Sequence, residues 1–146
     1  MADWDKIIGG LADTSASALI GSVDPQGYPE IKAMLAPRKR DGISRFWLTT
    51  NTSSLRVAHY RNNPKASIYF FNPSTYKAAM LQGEMEVLED AASKEMIWQE
   101  GDTMYYPKGV TDPDYCVLRF TAKQGRYYSE FHSEDFAVTG NGGNAG

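Results

Sequence analysis

The residues with the most chemistry in this 146-residue chain lie in one turn, TTNTSSLR, residues 49–56. It reads as a strand end, a polar bend and the first turn of a helix. Ser53 or Ser54 is a natural N-cap, because a serine hydroxyl accepts from the free N–H groups of a helix start. The next residues break a local rule. A helix N-terminus carries partial positive charge and favours Asp or Glu, and a capping box places Glu at the third position. Here that place holds Arg56 or Val57, and residues 51–63 contain no acid. A bound dianion would resolve the conflict: helix N–H groups, serine hydroxyls and an arginine fork all suit phosphate. Lys32, on a neighbouring strand, adds a second cation. The competing account is plain: arginine and lysine usually sit solvated on surfaces, and a serine N-cap is ordinary helix punctuation.

Other reactive residues are few. Cys116 is the single cysteine, which excludes an internal disulfide and fits a reducing cytoplasm. With only His59 and His132 beside it, no zinc or iron site is expected. No spacing ties a nucleophile to a base; His59 reads as a surface residue and His132 as lying near a mobile tail. Cys116 alternates with Leu118 and Phe120 and so reads as a buried small hydrophobe. Trp47 and Trp98 read first as core, and Met34, Met80 and Met85 as barrel packing. The GNGG near the C-terminus follows no strand and opens no helix, so it is not a nucleotide loop.

A net charge of −3 gives the whole chain no general attraction to nucleic acid or an anionic membrane. Any anion site is therefore local. The first sixteen residues lack the basic start and long apolar run of a signal peptide, and no window reaches the roughly 20 apolar residues of a membrane span. The expectation is a cytoplasmic protein.

The elements that must hold the turn follow from periodicity. Residues 4–11 space Trp4, Ile7, Ile8 and Leu11 as a helix does. SALIGSV and PEIKAML form a hairpin around DPQGYP, where Pro25 and Gly27 supply the turn. APRKRDG reads as a basic loop and ISRFWLTT as the third strand. SSLRVAHYRNN is a short helix that Pro64 closes. KASIYFF and the long YKAAMLQGEMEVLED are further strands, with Gly83 marking a bulge or a close approach. AASKEMIWQEGDTMYY reads as one amphipathic helix, and DYCVLRFTA as the sixth strand, followed by QGRYYSEF. Six mostly hairpin-joined strands with short helices predict a mainly β fold, a six-stranded antiparallel barrel. Residues 1–136 read as a single domain and 137–146 as a flexible glycine-rich tail.

Taken in order, ALIGSVDPQGYPEIKAM, RFWLTT, SSLRVAHYRNNPKASIYF, AAMLQGEMEVL and DYCVLRFTAKQGRYY resemble the FMN-binding split barrels related to pyridoxamine 5′-phosphate oxidase, in their general-stress-protein branch. The resemblance runs from about residue 11 to residue 131. It implies a six-stranded split barrel that forms a homodimer with FMN at the interface. It implies that Lys32 reaches the flavin phosphate, with Ala33 and Met34 beside the ring. Leu48, Thr49 and Thr50 would line the flavin, and Ser53, Ser54 and Arg56 would match a Ser-x-Lys phosphate grip. Arginine in place of that lysine keeps the charge and gains a bidentate fork. Gln82 would approach the ring from another strand, and Trp98 and Tyr128 would cover it from the partner. The leftover apolar residues of residues 78–88 and of the helix around Trp98 are the candidate dimer surface. An Arg-x-His substrate motif of the oxidase itself is absent; the chain reads GRYYSEFHSEDF there. The resemblance therefore implies an FMN-binding oxidoreductase of unstated substrate. The alternatives are a non-catalytic flavin or redox-sensing stress protein, the same fold carrying deazaflavin or haem, and a small interaction domain with no cofactor. No catalytic side chain, metal site, nucleic-acid partner or membrane partner is expected.

Overall fold

A computed structural model of the chain describes residues 2–139. The order is α1 (Trp4–Thr14), β1 (Ser17–Val23), β2 (Pro29–Leu35), β3 (Lys39–Asp41), β4 (Arg45–Asn51), α2 (Leu55–Asn62), β5 (Lys65–Asn72), β6 (Lys77–Leu88), α3 (Ala91–Ile97), β7 (Tyr115–Ser129) and β8 (His132–Ala137). Two 3₁₀ turns, Asp102–Met104 and Gly109–Thr111, separate α3 from β7. All strand pairs are antiparallel, in the order β2-β1-β5-β6-β7-β4-β3, with β8 paired to the far part of β7.

The sheet curls because one face is apolar along most of its strands. Ile20, Ile68, Phe70, Leu81, Leu48, Leu118 and Phe120 all point to one core. β4 and β5 are separated by β6 and β7, which in a flat sheet puts them about 14 Å apart. The rings of Phe46 and Phe70, one on each, are 5.5 Å apart. The sheet is thus rolled into a barrel that stays open between its edge strands. It is the split barrel that the resemblance implies, with eight strands where six were expected. β3 lies inside the predicted basic loop, and β8 comes after the predicted last strand.

Helices close the ends. α1 is capped by Asp3, whose side chain accepts from the Lys6 N–H, and it buries Ile8, Leu11 and Ala12. Trp4 stacks on Phe136 of β8 at 4.5 Å. The Val138 N–H donates to the Lys123 carbonyl at 2.9 Å. The predicted tail therefore begins with packed residues, and its remainder, 140–146, lies outside the described residues. α2 closes the other end. The β6–β7 register shifts between Gln82 and Gly83. A Cβ at Gly83 would stand 1.9 Å from the Thr121 carbonyl oxygen, so the close approach requires glycine.

The predicted long helix after β6 is broken. α3 ends at Ile97, Trp98 turns to extended backbone, and Gly101 takes φ 98°. This segment folds back over the outer side of β4 and β7, where Trp47, Ile97, Tyr106, Tyr115 and Val117 form a second cluster. One ion pair clasps it. Arg38 Nη1 and Nη2 donate to the Asp102 carboxylate at 2.8 and 2.9 Å, and Nη1 also donates to the Ile97 carbonyl. The hydrogen bond from Arg38 holds the Asp102 carboxyl below the usual carboxylate range. That contribution to stability is complete above the unfolded carboxylate value, about 3.9. It is lost as pH falls through the lower folded value.

Breaking a buried pair on one side costs about 3–5 kcal/mol. Asp102→Asn is therefore expected to lose stability of that order at pH 7 in urea unfolding. The gap from wild type should hold constant above about pH 5 and narrow below about pH 4. A gap that widens with acid would show that Asp102 is not ionised in the folded protein.

Candidate functional site

α2 is positioned by its contacts with β1. Ser54 caps it, accepting from the Val57 N–H at 3.3 Å. One turn later the Tyr60 hydroxyl donates to the Gly21 carbonyl at 2.8 Å. His59 is buried, not exposed as its helical position suggested, and its Nδ1 lies 3.0 Å from Ser22 Oγ. Burial pushes the Tyr60 phenol up, and the nearby charge of Arg56 opposes the rise. Arg56 thus lies over the same part of β1. Lys32 stands opposite Ile20, one register step from Gly21. It shares a face of β2 with the buried Met34, while Ala33 points to the other face.

Both lips of the split are bare near this turn. β2 is the outermost strand on one side. On the other, β3 pairs with β4 only as far as Trp47. From Leu48 to Thr50 the edge of β4 away from β7 has no strand partner among the described residues. Lys32–Met34 and Leu48–Thr50 therefore edge one opening, with α2 at its end. The side chains at the second lip are committed inward. Leu48 is in the core, Thr50 is buried opposite Cys116, and Thr49 lies beside the Tyr106 hydroxyl. What that lip offers a ligand is backbone.

The acid missing from residues 51–63 arrives from elsewhere in the chain. Asp114 accepts from Asn51 Nδ2 at 2.9 Å and from the Ser53 N–H at 2.8 Å. Those bonds hold its carboxyl below the usual range. Ser53 is thereby engaged with a carboxylate, and Ser54 with its own helix. Sequence reasoning missed Asp114, since it sits about sixty residues away and only the β4–β7 register, Asn51 against Tyr115, brings it here.

Arg56 is different. Arg38, Arg40, Arg61, Arg119 and Arg126 each face a carboxylate. Arg56 has no such ion pair among the described residues. Its Nε is buried without a hydrogen-bond partner, and so is Thr52 Oγ1. Among the described residues these are the buried side-chain polar atoms that lack a partner, and both lie in the β4–α2 turn. Native structures leave few such groups. An anion is the chemistry that satisfies a guanidinium and a hydroxyl together.

Three candidates lie apart from this turn. Gln82 is on the outer face of the barrel, where its Oε1 accepts from Gln124 Nε2 at 2.9 Å. It lines a cleft of about 490 Å³ with Gly21, Ser67, Glu30 and Lys123. Tyr128 is half-buried on the same face, 6.5 Å from the Tyr69 ring. Trp98 packs in the second cluster, 5.2 Å from Tyr115 and 6.2 Å from Tyr106. Met34 and Met85 pack the barrel as expected, and Trp47 is buried in the second cluster. Met80 instead alternates outward. Cys116 is fully buried, and burial pushes its thiol up. No group of His, Cys, Asp and Glu that could hold a metal occurs among the described residues. No helix among them is long and apolar enough to cross a membrane.

An antiparallel barrel split along one side, with an anion-ready turn at the opening, defines the class of the molecule. The family model for pyridoxamine 5′-phosphate oxidase matches residues 11–129, and the chain belongs to that family. A solved protein from Clostridium acetobutylicum, related to general stress protein 26 of B. subtilis and of the pyridoxinephosphate oxidase family, is 39% identical. The match covers 94% of this chain and 97% of that one, at TM-score 0.86. A pyridoxamine 5′-phosphate oxidase-related, FMN-binding protein from Nostoc punctiforme superposes at TM-score 0.66, covering 94% and 98% at 14% identity. A haem-binding protein from Mycobacterium smegmatis does so at 0.74, covering 94% of this chain and 59% of that one, also at 14% identity. The last two share the fold alone. No curated protein sequence matches the chain.

Removing the unpaired cation without a ligand present tests the geometry. An unsatisfied buried donor costs about 1–3 kcal/mol. Ligand-free Arg56→Met is expected to resist urea at least as well as wild type. Arg38→Met, which orphans Asp102, should lose about 3–5 kcal/mol. Equal losses in both variants would mean that Arg56 has a structural partner after all.

Proposed function

We propose that the chain binds FMN in the split, with the phosphate at the β4–α2 turn, as a cytoplasmic homodimeric flavoprotein. The observation that carries the reading is the pair of orphaned atoms, Arg56 Nε and Thr52 Oγ1, in a turn whose own helix repels a cation. A phosphate supplies what both lack. Lys32 adds the second positive charge from the β1–β2 hairpin, and the Arg56 fork orients the dianion. The bare lip of β4, Leu48 to Thr50, offers backbone N–H and C=O groups to the polar edge of a planar ring. Met34 and Ala33 give the opposite lip an apolar surface. The Nostoc relative is described as FMN-binding, which supports the same ligand for this fold.

Gln82 and Tyr128 face away from this opening, on the outer face of the sheet. In the proposal they belong to the partner's site, brought to it when two outer faces meet. Trp98 keeps its packing with Tyr115 and Tyr106 and contributes only its free edge. FMN, when bound, supplies hydride or electron chemistry at its N5. The chain supplies charge, orientation and water exclusion, and no side chain is assigned a proton. The reading is an FMN-dependent oxidoreductase; a flavin-carrying stress protein without turnover shares every binding residue with it. A haem site gains less support, because an axial histidine is needed and His59 is already engaged with Ser22.

Arg56→Glu separates these readings from a ligand-free domain. Losing a charge-assisted hydrogen bond costs about 1.5–3 kcal/mol, with repulsion added. FMN affinity by fluorescence titration is therefore expected to fall at least tenfold. The apo-variant should melt no lower than apo-wild type, since Glu suits a helix start. Tight FMN binding by the variant would make Arg56 a surface cation.

A further inference from the structure

The β7–β8 hairpin has a two-residue loop, because Ser129 pairs with His132. Its central residues, Glu130 and Phe131, have φ 48° and 69°. A turn of this kind asks for Asn or Gly at both places. A side chain with a Cβ is strained in the left-handed region. Phe131 carries a second cost in water, since its exposure is 109% of the reference value. Its ring meets no other ring among the described residues, so nothing within the chain explains why phenylalanine stands there.

The neighbouring turn repeats the pattern. Tyr76, before β6, has φ 60° and is 75% exposed, its ring edge-on to Phe71 at 5.1 Å. Ala78 pairs with Tyr128, so the two turns lie side by side at one end of the sheet. Tyr76, Glu130 and Phe131 are the non-glycine residues with positive φ among the described residues. Backbone strain gathered at one place points to a function there.

The surface beside them indicates the occupant. Two register rows cross the outer face from these turns. One holds Leu35, Ser17, Phe71, Ala78 and Tyr128; the next holds Ala33, Leu19, Tyr69, Met80 and Arg126. Leu35, Leu19 and Phe71 are exposed. The single charge in these rows, Arg126, is neutralised by Asp135. A face without net charge does not repel its own copy, although the chain as a whole carries −3. Its strands run antiparallel, and a twofold axis can lay such a face on itself.

We propose that Phe131 and Tyr76 are the anchors of self-association: each strained turn seats its aromatic ring in a second copy of this chain, against the outer face. The proposal rests on the homodimer reading and adds the residues that hold the two copies together. Burial of large aromatics dominates many interfaces, and a rigid turn presents the ring already ordered. A ring held outward by the backbone loses little freedom when it docks.

Sedimentation velocity over a dilution series of the full chain tests this. Phe131→Asn and Phe131→Gly both accept positive φ, so each should fold and melt no lower as a monomer. Each is expected to weaken the dimer at least tenfold. Phe131→Leu, which keeps an apolar side chain, should restore most of it. Glu130→Asn, which relieves strain without touching the ring, should leave association unchanged. Wild-type dimers with unaltered Asn and Gly variants would overturn the anchor and leave the dimer reading standing. A wild type that stays monomeric at micromolar concentration would overturn both.

Discussion

A guanidinium nitrogen buried with no partner is the constraint around which the molecule is arranged. Desolvating a charged donor costs more than desolvating an amide, and the fold gains nothing from Arg56 Nε by itself. Elsewhere the same chain pairs its arginines with care, most completely at Arg38 and Asp102. The cost at Arg56 is enforced by neighbours. Tyr60 and His59 fasten α2 to Gly21 and Ser22, so the first helical turn cannot swing into solvent. Asp114, the one carboxylate at the turn, is engaged by Asn51 and Ser53. The barrel core fixes β1 and β4, the clasp over β4 fixes the second cluster, and the turn is left with an unmet demand for an anion.

The same architecture explains why the site is a lip and not a pocket. β3 stops pairing with β4 at Trp47, while β7 continues on the far side. That leaves an edge with free backbone groups, which usually invites another strand. Here α2 and the β1–β2 hairpin stand beside the edge, and a planar ligand is the partner that fits the width of a split. The inner face of the sheet makes the core. The outer face, with its apolar rows, is left for another molecule. Each strand therefore serves two partners through its alternating side chains.

Much of this was legible in the residues. SALIGSV and PEIKAML are β1 and β2 to the residue, because alternation and the Pro–Gly turn agree. Gly83 was readable as a close approach. Arg56 stood out because it violated a strong local preference. Other parts were hidden for physical reasons. β8 comes after a Glu-Phe turn that carries none of the usual turn residues, so no hairpin signal precedes it. The helix after β6 kept its periodicity past Ile97, and only the Arg38–Asp102 clasp, a contact between distant segments, breaks it. His59 looked exposed on a helix of low apolar content, yet Ser22 receives it. Asp114 was invisible for the same reason: strand register decides which distant acid meets the turn.

The central claim is that the phosphate, more than the flavin ring, meets the demand of the β4–α2 turn. Calorimetric titration of the ligand-free wild type with FMN and with riboflavin compares the same ring with and without that group. Two charge-assisted contacts at about 1.5–3 kcal/mol each set the expected gap, FMN binding at least a hundredfold tighter than riboflavin. Equal affinities would contradict the account, and would leave the buried Arg56 nitrogen without an explanation.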